Sequence, residues 1–192
     1  MQAALDAGIE PVEVLIAEEN VEPALLAEVA TLGHPPRVIG IFRREDLPRA
    51  PVPEVGLALW RIGDPGNVGT LIRSAAALGP AFVALSEGSA DATGPKALRA
   101  SMGALFRVPL VAFDDAPGRR IALVAHGGMP PAELDLSGPT TFVLGAEREG
   151  LPDSVLAACE ERATVPLAPG SESLNVATAG AIALYELSRR GG

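Results

Sequence analysis

Short apolar runs alternate with helix-like patterns along nearly the whole chain. Runs of strand length fall at residues 12–17, 38–42, 55–60, 81–85, 108–113, 121–125, 141–144 and 163–167. Several are apolar at consecutive positions, as strands covered on both faces tend to be. Helical patterns occupy residues 1–7, 23–32, 69–78, 94–105, 152–160 and 174–190. Gly79-Pro80 closes the third, and Pro152 suits a first helical turn. This alternation predicts an α/β fold built on a parallel sheet.

The stretch 47–53 carries three prolines and little apolar content, which places a boundary there and divides the chain into residues 1–50 and 51–192. A length of 192 residues allows one full domain with a small appendage. The first 50 residues hold two strands and two helices, too little for a core of their own, so they dock on the rest or belong to a domain whose beginning is missing.

Hydrophobic residues make up 48% and charged residues 20%, with no apolar run near the length of a membrane span and no basic-apolar leader at Met1, which predicts a cytoplasmic protein. One cysteine, Cys159, excludes an internal disulfide, and with His34 and His126 it forms no zinc-like spacing, so no metal is expected. The net charge of −9 runs against nucleic-acid binding, but residues 1–36 hold seven acidic groups and no Lys or Arg, leaving −2 for the remainder.

Two regions carry more polarity than packing requires. Gly63-Asp-Pro-Gly-Asn67-Val-Gly-Thr-Leu-Ile-Arg73 follows a strand and opens a helix. Gly66 and Gly69 permit close backbone approach, Asn67 can cap the helix, and free N–H groups there suit an anion. Arg73 can reach back toward that mouth because helical side chains lean toward the N-terminus. A glycine turn, a cap and a surface arginine explain the same residues equally well. The second region comprises Phe142-Val-Leu-Gly-Ala-Glu-Arg-Glu-Gly-Leu151 and Val165-Pro-Leu-Ala-Pro-Gly-Ser-Glu-Ser-Leu-Asn-Val176, each a strand running into a polar loop and then a helix. Such loops lie where open α/β sheets bind ligands. Glu147, Ser173 and Asn175 are placed to meet a ligand there; a solvated acid and a helix cap are the competing readings. No nucleophile with a base can be drawn, and neither dinucleotide nor Walker spacing is present.

Asn67-Val-Gly-Thr-Leu-Ile-Arg73, Leu144-Gly-Ala-Glu-Arg-Glu-Gly150 and Val165-Pro-Leu with Ser173-Leu-Asn175 together resemble the three motifs of the SpoU (TrmH-type) ribose 2′-O-methyltransferases, a branch of the SPOUT superfamily. The resemblance covers about residues 55–190, with 96–103 similar to the family's intervening helix. It implies a SPOUT-type parallel sheet with a C-terminal trefoil knot, an exception to the rule against threading. It also implies transfer of a methyl group from S-adenosylmethionine to an RNA ribose 2′-hydroxyl, most often in ribosomal RNA. Carried over residue by residue, Asn67, Arg73, Glu147, Ser173 and Asn175 match catalytic or substrate-handling positions. Leu123, Val124, Ala125, Leu144, Gly145, Val165, Pro166, Leu167 and Leu174 match the cofactor pocket. Family members are homodimers whose arginine reaches toward a donor held mainly by the partner. The helix 176–187 fits such an interface through Ala177, Ala179, Gly180, Ala181 and Ala183.

The first 50 residues resemble, weakly, the later part of the small α/β RNA-binding domain that many family members carry, either late-starting or reduced. Their acidic first half leaves Arg37, Arg43, Arg44, Arg61, Arg99, Arg107 and Arg119 as the expected RNA contacts. Transfer RNA as substrate, a non-catalytic RNA-binding assembly factor, and a doubly wound nucleotide-binding protein holding phosphate at residues 63–69 are the alternatives.

Overall fold

The computed structural model describes residues 1–30 and 36–190. His34 and the end of the second expected helix lie outside the described residues. The chain divides into two compact units, Met1–Leu47 and Pro48–Gly192.

The first unit runs α1 (Gln2–Asp6), β1 (Glu13–Ile16), α2 (Pro23–Val29), β2 (Val38–Ile41). β1 and β2 pair antiparallel, Glu13 opposite Ile41 and Ile16 opposite Val38. This departs from the parallel arrangement the pattern suggests, because side-chain periodicity carries no information on strand direction. Asn20 closes the end of β1: its side-chain oxygen accepts from the Ile16 N–H at 2.7 Å while its amide donates to Val14 O at 2.8 Å.

The second unit holds β3 (Val55–Leu59), α3 (Pro65–Ala77), β4 (Phe82–Leu85), α4 (Pro95–Ala100), β5 (Leu110–Ala112), β6 (Arg119–Leu123), β7 (Thr140–Leu144), α5 (Asp153–Ala157), β8 (Glu161–Ala163) and α6 (Val176–Arg190). The six strands form one parallel sheet in the order β5-β4-β3-β7-β6-β8. β3 and β7 sit at its centre, and their side chains from Leu57 to Leu59 and from Phe142 to Leu144 are almost wholly buried. Continuous apolar sequence is the requirement of a strand covered on both faces.

On one face, Ala58, Phe82, Ala84 and Val143 form a core with Phe113, Ala116 and Val155, over which Trp60 and Cys159 pack. The Trp60 and Phe113 rings meet edge to face at 5.1 Å. On the other face α3 and α6 lie against each other and the sheet. Gly180 of α6 is pressed so close to α3 that a Cβ there would stand 2.4 Å from Leu71 Cδ2 and 2.9 Å from Leu144 Cδ2. Ala177 and Ala183 are buried on the same helix. These small residues therefore serve packing within the chain, which removes them as an argument for an interface between copies.

Several boundaries differ from the sequence expectation, and three of the differences have a reason in the residues themselves. α3 begins at Pro65, four residues early, because Asp64-Pro65 supplies a cap and a proline at the first helical position. The helix expected over 94–105 breaks after Ala100, since Met102 and Gly103 take positive φ of 50° and 81°. The last strand occupies Glu161–Ala163 rather than 163–167, where Pro166 has no N–H to offer a ladder.

Candidate active site

The start of α3 is closed by its own acid. Asp64 accepts the Gly66 N–H and receives Lys96 Nζ of α4 at 3.0 and 3.3 Å. The Lys96 hydrogen bond first, and the Gly66 N–H second, hold the Asp64 carboxyl below the usual carboxylate range. Gly69, the second glycine of the expected anion mouth, is instead the point where α3 meets α4: a Cβ there would stand 2.3 Å from Ala97 O. A carboxylate on the helix N-terminus repels phosphate and takes one of its donors, so the phosphate-binding nucleotide reading of residues 63–69 is overturned. Asn67 is not the cap either, and its side chain is left available for another partner.

That partner lies eighty positions away. Asn67 Nδ2 donates to Glu147 Oε1 at 2.7 Å, and Asn67 Oδ1 accepts from Asn175 Nδ2 at 3.1 Å. Asn175 Oδ1 in turn accepts the Ala177 and Thr178 N–H groups at 2.9 and 3.3 Å, capping α6. Backbone N–H groups can only donate, so the Asn175 amide has one possible orientation. Asn67 inherits its orientation from Asn175, and Glu147 must be the acceptor at the end. Asn175 thus caps α6 while it joins the hydrogen-bond chain to Asn67.

Glu147 stands on the loop leaving β7. That loop doubles back, with the Gly150 N–H donating to Ala146 O at 2.9 Å. A Cβ on Gly145 would lie 2.3 Å from the Gly150 carbonyl carbon, so the fold of the loop requires glycine there.

Beside this network a cavity of about 610 Å³ opens at the carboxyl ends of β6 and β7. Leu123, Val124 and Ala125 form one wall, Leu144, Gly145 and Glu147 the floor and mouth, and Val165, Leu167, Ser173, Leu174 and Asn175 the far side. Pro166 does not line it. Arg73 does not line it either: its side chain is exposed on α3 and has no hydrogen-bond or ion-pair partner among the described residues. Sequence reasoning missed Arg148 and Glu149, which line the mouth from inside the second motif, and Ala179, which lies one helical turn beyond the lining residue Val176.

Of the arginines expected to meet RNA, Arg119 is engaged elsewhere: it pairs with Glu161 at 2.7 Å and donates to Asp135 O. Cys159 is a half-buried thiol that burial pushes above its ordinary pKa, with Sγ directed at Val155 O, which disfavours the thiolate. Among the described residues no group of three His, Cys, Asp or Glu could hold a metal ion.

The SpoU rRNA Methylase family model matches residues 54–185, a span that contains every strand of the parallel sheet and all three motif segments. The chain belongs to the SpoU family. A tRNA/rRNA methyltransferase of Synechocystis, itself uncharacterized, is 34% identical over 178 residues, 86% of this chain and 65% of that protein. The 23S rRNA (uridine(2479)-2′-O)-methyltransferase of Streptomyces viridochromogenes is 34% identical over 188 residues, 88% of this chain and 66% of that one. The chain thus spans just under two thirds of the length of these curated relatives. Among solved structures, the SpoU methyltransferase AviRb from Streptomyces viridochromogenes in complex with AdoMet superposes with a TM-score of 0.85 at 27% identity, covering 99% of this chain and 86% of that one. The parallel sheet is therefore the SPOUT sheet that the SpoU motifs imply.

Proposed function

We propose that the chain is an S-adenosylmethionine-dependent RNA methyltransferase acting on a ribose 2′-hydroxyl of ribosomal RNA. The observation that carries this reading is the Asn175–Asn67–Glu147 chain, which ties the mouth of the apolar cavity to the helix bearing Arg73, a side chain with no partner among the described residues. Two relatives named as 23S rRNA 2′-O-methyltransferases and two solved neighbours with AdoMet bound point the same way.

The residues present fit the cofactor. The cavity volume lies within the roughly 300–1,000 Å³ of small-molecule sites, leucine and valine contribute much of its walls, and at its mouth Glu147 and Glu149 outweigh the one charge of Arg148, which suits a cation. Bound there, S-adenosylmethionine supplies a methyl group on a positively charged sulfur. The protein's own contribution is positioning and charge. Arg73 holds the target phosphate and stabilises the negative charge that develops on the 2′-oxygen. A guanidinium is a poor general base in isolation; the 2′-hydroxyl proton leaves either to that phosphate or to Arg73 itself once strongly perturbed. Asn67 fixes the geometry between α3 and Glu147, while Ser173 and Asn175 shape the loop that faces ribose and donor. Leu123, Val124, Ala125, Leu144, Gly145, Val165, Leu167 and Leu174 would hold the donor, while Pro166, expected with them, stands outside the lining.

Three further features belong to this reading. Residues 51–192 are the methyltransferase domain, and residues 1–50 an abbreviated RNA-binding-like segment. The working form is a cytoplasmic homodimer, supported by the position of Arg73 outside the lining of its own chain's cavity; no helix among the described residues is long and apolar enough to cross a membrane. The carboxyl-terminal segment forms a trefoil knot. In support, Ala163 is held on one side by the Val124 N–H and its neighbours are held on the other by Met129, which donates to Arg162 O and accepts from the Thr164 N–H.

The test is titration of the purified protein with S-adenosylmethionine, followed by methylation of in vitro transcribed 23S ribosomal RNA and mapping of sites that resist alkaline cleavage. Saturable binding and a discrete resistant site are expected. Donor binding without transfer would favour a non-catalytic RNA-binding role, and transfer confined to tRNA would move the substrate.

A further inference from the structure

Arg61 lies two residues before Gly63, where the motif-one segment begins, and its backbone is unusual. Its φ is +52°, a conformation that asparagine and glycine adopt readily and arginine rarely. It is pinned there. The Arg61 N–H donates to Ser86 Oγ at 2.8 Å, and that hydroxyl passes on to Glu87 O at 3.1 Å. On either side Ser86 N–H donates to Leu59 O at 3.0 Å and Ala90 N–H to Ile62 O at 2.8 Å. The side chain then lies over Gly88: a Cβ at residue 88 would stand 3.2 Å from Arg61 Nε and 3.6 Å from its Cγ. A bare glycine gives the stem its track, and the exposed guanidinium has no partner among the described residues.

Nothing in the fold accounts for arginine at this position. The conformation favours another residue type, and the charge neutralises no neighbour. Its location is informative. The Trp60 N–H donates to Leu144 O at 2.8 Å, which sets Arg61 beside the strand end from which the Glu147 loop departs. Asn67 lies six positions further along and Arg73 six beyond that. Lys96 is occupied by Asp64, and Arg148 stands at the cavity mouth on the Glu147 loop. In a chain of net charge −9, a cation held in one direction beside the reaction site is suited to one class of ligand, a phosphate of a polyanion.

Resting on the proposed reading, the geometry points to Arg61 as a second RNA-phosphate contact, which grips the strand that presents the target ribose and fixes which nucleotide reaches Arg73. The test compares wild type with Arg61→Asn, which tolerates the left-handed backbone, and with Arg61→Lys. Each is measured for binding to in vitro transcribed 23S ribosomal RNA over a range of salt and for binding of S-adenosylmethionine. Arg61→Asn is expected to weaken RNA binding about tenfold and to make the log-affinity against log-salt slope shallower by about 1, with donor affinity at the wild-type value. Arg61→Lys is expected to keep the slope and recover part of the affinity. An asparagine variant with wild-type RNA affinity and slope overturns the assignment. So does one that loses donor affinity or cooperative melting, since Arg61 would then be structural. A wild-type chain that binds no RNA overturns both this and the proposed function; wild-type binding with an unaffected variant overturns this alone.

Discussion

Asn67 and Glu147 are joined at 2.7 Å across eighty positions of sequence, and the amide of Asn67 is oriented so that the carboxylate must accept. Replacing the amide by an acid sets two carboxylates against each other. Asn67→Asp is expected to lower methyl transfer about tenfold at neutral pH, with partial recovery as pH falls and the pair shares a proton. A pH–rate profile of variant against wild type checks this; a loss that does not depend on pH would assign Asn67 a packing role.

Arg73 presents the opposite case, a side chain with no internal partner among the described residues. Arg73→Ala is expected to cost about 10²–10³-fold in transfer rate. The melting free energy should stay within about 0.5 kcal/mol of wild type. Donor affinity is expected to be retained, and calorimetry on the same sample measures it. Loss of donor binding in this variant would contradict the role.

Gly145 has no room for a side chain, because the β7 loop returns on it at Gly150. Gly145→Ala is expected to destabilise the unit by about 1–3 kcal/mol and to weaken S-adenosylmethionine binding, since the displaced loop is the floor of the cavity. Thermal melting with and without the donor separates the two effects.

Asp64 gives a pH dependence whose sign follows from its partners. Lys96, then the Gly66 N–H, favour the ionised form in the folded chain, so its pKa lies below the ordinary 3.8. The stabilisation is complete above that ordinary value and is lost as pH falls through the lowered one. Asp64→Asn is expected to flatten the fall in melting temperature between about pH 5 and pH 2, with the variant and wild-type curves converging at the acid end. Parallel curves would mean that the pair contributes nothing.

Much of this was legible in the sequence for physical reasons. Strands such as β3 and β7, buried on both faces, carry uninterrupted apolar residues, and the polar loops after them announce where the cavity opens. Asp64-Pro65 is a legible helix start as well, an acid that caps followed by a proline at the first helical position. The link from Asn67 to Glu147 was not legible, because it depends on β7 lying between β3 and β6, an order that no local pattern encodes. The role of Gly69 was hidden for a related reason: a glycine that admits a ligand and one that admits a neighbouring helix look identical until the neighbour is placed.

The central pairing of the sheet also governs how the molecule assembles. β3 and β7 meet in register with Val55 opposite Thr140, so the chain must close a long loop before the contacts at the middle of the sheet can form. Parallel topologies of this kind fold slowly relative to helical bundles of similar size. The cavity floor rests on β7 and its mouth is tethered to the start of α3. Ligand binding during refolding should therefore appear no earlier than the slow phase that joins the two halves of the sheet.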